Sequence, residues 1–326
     1  WYGETHKPHY GTIIATGRAR QPEAEVDLIR LAEDPLVPAI VRATGLELLR
    51  SYPSSASQTT LAKALEDDDA LLRYTAIRSL EHFDAETRLK RIAPKLYDPV
   101  KAVRMEAAMM LSVLPEERLR KDDREAFRQG LAEYREAMLY NADLAAQRYN
   151  LGNLAANLGD ESQAVAAYLK AIAIDDQFYP ARVNLAMLYN RQGNNAEAEK
   201  LLRDVVDQYP QLYETAYSLG LLLAEMQRYV EAEKYLHQAA AGMPDYGRIH
   251  YNHGQVLLVL NREEQAESSL RKALSVEPLN LDYFVVLANH YLKSGRPALA
   301  KKLAENTLQQ FPDHAAARSL LQQLGQ

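Results

Sequence analysis

Histidines three residues apart occur twice in this chain, at His6 with His9 and at His250 with His253. On a helix, that spacing can direct two imidazoles at one metal ion. No carboxylate of matching spacing accompanies His250 and His253, and both fall on the face of a helix that packs against its neighbours. They are expected to be packed or hydrogen-bonded, while His237 and His290 stand alone, so no metal site is assigned. The chain holds no Cys, which excludes a disulfide, a thiolate zinc site and a Cys nucleophile within it. The acidic run from Glu66 to Asp69 reads as a turn with helix caps. With no Gly-rich phosphate loop, nucleophile elbow or triad, the chain is not expected to be an enzyme.

What positions these residues follows from composition and period. The 326 residues are 47% hydrophobic and 25% charged, enough for two ordinary domains or one extended array. A formal net charge of −6 without any Lys/Arg run speaks against nucleic acid as a partner. No apolar run approaches the roughly 20 residues of a membrane helix, so no membrane insertion is expected.

The dominant feature is an internal repeat. "YNLGNLAANLGDESQAVAAYLKAI" from Tyr149, "VNLAMLYNRQGNNAEAEKLLRDVV" from Val183 and "YSLGLLLAEMQRYVEAEKYLHQAA" from Tyr217 align, with two further copies from Tyr251 and Val285. A small residue recurs every 34 positions at Gly152, Ala186, Gly220, Gly254 and Ala288, and an alanine 12 residues later at Ala164, Ala198, Ala232, Ala266 and Ala300. Apolar residues at helical spacing, a break near Gly159, Gly193 or Gly295, and a closing Pro210, Pro244, Pro278 or Pro312 make each unit a helix, a tight turn and a second helix. Small residues at facing positions let two backbones approach closely.

These five units resemble tetratricopeptide repeats, with helix pairs starting near Ala145, Tyr179, Tyr213, Gly247 and Leu281 and covering residues 145 to 314. A half unit precedes them and a cap helix, Ala315 to Leu324, follows, giving a repeat region over 121–326. Upstream, "VPAIVRATGLELL", "DALLRYTAIRSLEHF" and "VKAVRMEAAMMLSVL" align on Arg42, Arg73 and Arg104, 31 apart, each after an acidic turn at Asp34, Asp67 to Asp69 or Asp98. This region, 21–120, resembles HEAT repeats, in which an Asp near the turn and an Arg on the second helix pair between units. The resemblance implies a structural role for the three arginines. The fold expected is therefore all-α: an α-solenoid of antiparallel helix pairs.

Such a fold works through its surfaces. Residues two before and one after each small position should face the concave groove: Asn150 and Asn153, Asn184 and Met187, Ser218 and Leu221, Asn252 and Gln255, Val286 and Asn289. Amides there suit an extended peptide, since each offers a donor and an acceptor. Tyr149, Tyr217 and Tyr251, one residue earlier, would add apolar contact. The alternative for the Asn residues is bracing of neighbouring helices.

Residues 1–20 have no repeat register and read as a connector from a region upstream. "WYG", a short gap, "PHYG" and an apolar stretch ending in "GR", followed by the two repeat types, resemble the C-terminal part of bacterial multihaem c-type cytochromes. That resemblance implies export to a periplasmic or extracellular location. It also implies c-type haem carried before residue 1 rather than in this chain, and a haem-proximal place for His6 or His9. The expected function is a non-catalytic scaffold binding a protein or extended peptide, as the arm of such a cytochrome. Alternatives are an electron-transfer module docking the haems of an upstream domain, and a substrate-selecting arm of a modifying enzyme.

Overall fold

The computed structural model describes residues 9–52, 54–81 and 83–325. Among them are nineteen α-helices, two short 3-10 helices and no strand. Two compact units divide the chain, Trp1–Asp175 and Asp176–Gln326. The division falls beyond the change of period near residue 120, after the half unit and the first repeat pair.

The first unit runs α1 (Tyr10–Arg18), α2 (Ala24–Glu33), α3 (Ala39–Leu49), α4 (Ser55–Ala64), α5 (Ala70–Ser79), α6 (Ala85–Ile92), α7 (Lys101–Leu111), α8 (Lys121–Tyr140), α9 (Ala145–Asn157) and α10 (Glu161–Ile174). One apolar core from Ala24 to Leu154 joins α1 to α9, built on Leu28, Leu46, Leu72, Ile77, Ile92 and Phe127. The acidic turns work as caps and anchors. Asp69 accepts from the Leu71 N–H at 2.8 Å to start α5, and Asp67 accepts from Arg42 at 2.7 Å. The arginines repeat this step by step. Arg73 donates through Nε and Nη2 to both Asp98 oxygens at 2.7 and 2.9 Å. Arg104 grips both Glu133 oxygens at 3.2 and 2.9 Å. Each guanidinium thus ties its own pair to the next.

Asp98 lies under 10% exposed, at 6%. Burial favours its neutral form, but the bonds from Arg73 and the Val100 N–H outweigh it and hold its carboxyl below the ordinary aspartate range.

The second unit contains α11 (Tyr179–Arg191), α12 (Asn195–Gln208), α13 (Tyr213–Glu225), α14 (Tyr229–Gly242), α15 (Gly247–Val259), α16 (Glu263–Val276), α17 (Leu281–Lys293), α18 (Pro297–Gln310) and α19 (Ala315–Leu324). Pairs α11–α12, α13–α14, α15–α16 and α17–α18 are the repeats, and α9–α10 is the pair of the same kind in the first unit. Pro210, Pro244, Pro278 and Pro312 each stand two residues beyond a second helix, where the chain must leave helical geometry. The small residues are sterically required: a Cβ built on Gly220 or Gly254 would meet Leu236 or Leu270 at 2.8 Å.

Each pair closes through a left-handed residue at one register: Gly159, Gly193 and Gly295 at φ 78°, 77° and 70°, but Gln227 at 59° and Asn261 at 57°. The next N–H then reaches back five residues, as from Arg228 to the Leu223 carbonyl at 2.9 Å. Glycine and asparagine tolerate this region, whereas glutamine strains in it.

Gln227→Gly should therefore raise stability by about 0.5–1 kcal/mol, read as a higher Tm. Asp98→Ala should cost about 3–5 kcal/mol in chemical denaturation, because it strands a buried guanidinium. Because Asp98 is depressed in the folded state, its contribution is full above the unfolded aspartate pKa. It is lost as pH falls through the folded value, so the variant should show a shallower acid-side loss of stability than the parent.

Candidate functional site

The first helices of the second unit present an apolar depression of about 440 Å³ lined by Leu221 of α13, Tyr229 of α14, Asn252, Gln255 and Val259 of α15, and Val286 of α17. Leu221 is 38% and Val259 53% exposed. Leu221 and Val286, which stand among the amides of the groove-facing row, form walls of this pocket. Met187, on α11, is exposed as well.

The amides have internal partners. Asn252 Nδ2 donates to the Tyr217 hydroxyl at 2.6 Å, linking α15 to α13. Gln255 Nε2 donates to the Tyr251 hydroxyl one turn away at 2.9 Å. Both bonds use the amide N–H and leave each amide's carbonyl oxygen as an acceptor at the pocket rim. Tyr251 stacks on Tyr283 at 4.8 Å between centroids, with the Arg248 guanidinium 5.8 Å over its ring. Ser218 bonds its own helix, to the Glu214 carbonyl at 3.0 Å. Asn184 is half-buried and Asn289 exposed. In the first unit, the Tyr168 hydroxyl donates to Asn153 at 2.8 Å. Tyr149 lies 5.9 Å from Tyr168, and the Asn150 amide points to Gln147 at 3.4 Å.

The histidines separate into different environments. His6 lies outside the described residues. His9 caps α1, its Nδ1 accepting from the Gly11 N–H at 3.1 Å. His250 turns Nε2 to the Pro244 carbonyl at 3.0 Å, and burial pushes its pKa down. His290 meets an Arg296 Nη2 at 3.0 Å. His253, however, is buried beside His237, with ring centroids 5.6 Å apart, and its Nε2 stands 3.4 Å from Glu233 Oε1. His237 is therefore not isolated, and His253 does have a carboxylate partner. The expectation failed because both partners lie on α14, across the packing seam from α15.

A ladder of charge also escaped the sequence reading. Glu199, Glu233 and Glu267 recur at 34, as do Arg228, Arg262 and Arg296. Arg228 and Arg296 reach the glutamate of the preceding pair at 2.5 and 2.6 Å, but Arg262 stands off at 3.5 Å. Burial opposes ionisation of Glu199 and Glu267, but their arginine bonds prevail and keep both below the usual glutamate range. The 34-residue columns were the available signal.

Stacked helix pairs, a small-residue seam and an open face of first helices define a helical-repeat scaffold. The sequence family described as the tetratricopeptide repeat matches residues 155–219, 223–283 and 264–324, together half of the chain. The chain belongs to that family. The match does not extend to α1–α8.

Among solved structures, a crystal structure of MamA is 22% identical over 51% of this chain and 97% of its own, with a TM-score of 0.47. A MamA fragment from Desulfovibrio magneticus RS-1 is 15% identical over 52% and 97%, at 0.47. YrrB, described as a TPR protein with an unusual peptide-binding site, is 20% identical over 58% and 97%, at 0.48. A search of curated proteins found no match.

Proposed function

We propose that the second unit is a non-catalytic docking module that binds an extended peptide of a partner protein across α13, α15 and α17. The observation carrying this reading is the exposed apolar pocket of Leu221, Val259 and Val286, rimmed by the Asn252 and Gln255 amides. An apolar side chain of the peptide fills the pocket, while the amide oxygens accept from its backbone N–H groups. Tyr217, Tyr251, Asn184, Met187 and Asn289 extend the same face, and the Asn252–Tyr217 bond holds it in shape. Among the described residues no helix is long and apolar enough to cross a membrane.

Selection of peptides from a displayed library on the whole chain tests this. Leu221→Glu and Val259→Glu should each weaken selected peptides about tenfold or more, since burying a leucine contributes about 1.5–3 kcal/mol. Tm should stay near that of the parent, as both side chains are exposed. Peptides that bind the two variants as well as the parent would remove the pocket from the account.

The narrower proposal, an arm of an exported multihaem cytochrome, rests on the opening segment and the order of the repeat regions. Several CxxCH motifs encoded before Trp1 are its expected outcome, and an unrelated domain there would end it.

A further inference from the structure

The repeat array supplies its own control for one anomalous rung. In the α12 and α16 rungs, the glutamate is followed one turn later by arginine, Glu199 by Arg203 at 2.7 Å and Glu267 by Arg271 at 2.8 Å. In α14 the same column reads Glu233 and His237. The facing first-helix column reads Leu185, Leu219 and Leu287, but His253 in α15. A third column, Leu201, Tyr235 and Leu303, becomes Ser269 in α16. Relative to the α12 and α16 rungs and their neighbours, three changes of residue type meet at one place. Among the described residues this is where three potential ligands converge, with donor atoms of Glu233, His237 and His253 all within 4.8 Å of one another.

We infer that Glu233, His237 and His253 form a binding site for a divalent transition-metal cation of the zinc class. Two imidazoles and one carboxylate are ligands that Zn²⁺ accepts, and they leave a fourth tetrahedral position to water or to a donor from a docked partner. The 3.4 Å between His253 Nε2 and Glu233 Oε1 matches the separation of about 3.4 Å that two ligands take around a tetrahedral ion at bond lengths near 2.1 Å. His237 is exposed and one turn from Glu233, so its ring closes the set by side-chain rotation.

The surroundings suit the same task. Ser269 Oγ lies 3.1 Å from His253 Nδ1, an outer partner that can accept from an Nδ1–H once Nε2 turns its lone pair to the metal. Burial lowers the His253 pKa, with Glu233 opposing it. His250 is turned away to the Pro244 carbonyl and contributes no ligand. Arg262, 3.5 Å from Glu233 Oε2, is the competing cation. Its side chain is 44% exposed, so it swings into solvent when the dication binds.

Calorimetric titration of the tag-free chain with Zn²⁺ decides the matter, in a His6→Ala/His9→Ala background that removes the other closely spaced histidines. One Zn²⁺ per chain is expected. His237→Ala and Glu233→Gln, which alter side chains that are not fully buried, should each weaken it by at least about tenfold, the lower end of what disturbing even an outer partner costs. A rise in Tm with Zn²⁺ should accompany binding in the parent and be smaller in both variants at the same Zn²⁺ concentration. Absence of a one-to-one step, or a step undiminished in either variant, overturns the site.

Discussion

The repeat array depends on the close approach of two helices at one residue in each pair. Where Gly220 meets Leu236 and Gly254 meets Leu270, even one added Cβ would come within 2.8 Å, whereas the sister pairs carry Ala186 and Ala288 at the same register. That contact sets the crossing of the pair, and the crossing sets which residues of the first helix face outward. The left-handed closing residues then return the chain at the same register every time, even where the array uses Gln227 rather than glycine. Packing thus fixes the scaffold and leaves the outward positions free to carry function.

Charge refines what packing begins. Arg42, Arg73 and Arg104 in the first unit, and Arg228 and Arg296 in the second, each reach an acid of an adjacent pair. Such partly buried pairs lose much of their Coulomb gain to desolvation. Their effect is on register, since a slip of one residue would strand a guanidinium and a carboxylate together. At Glu233, His237 and His253 the rung replaces the within-helix Glu–Arg pair of its neighbours with a histidine and holds Arg262 at 3.5 Å.

The helix pairs were legible in the sequence because their signals are local and periodic. First helices begin at Ala145, Tyr179, Tyr213, Gly247 and Leu281, where the period of small residues places them. Side-chain partnerships were not legible in the same way. Asn252 and Tyr217 are 35 residues apart, so an amide that looked available to a peptide already donates to a tyrosine. His253 was weighed against its own helix alone, while its partners sit on the helix before it. Comparing whole columns at the repeat period would have exposed both the Glu–Arg ladder and its break. The pocket was half legible: Leu221 and Val286 fall on the groove-facing register, but Val259 carries no such signal, and only its convergence with them marks it.

The central claim is that each pair is held chiefly by its neighbours, which frees the outward face for binding. Amide hydrogen exchange on a chain ending at Asn280, without α17–α19, tests this most directly. The account predicts that α15 and α16 lose protection while α11–α14 retain it, because the lost contacts are those of the last pair. Loss of protection throughout α11–α16 would contradict it, showing one cooperative core in place of a stack.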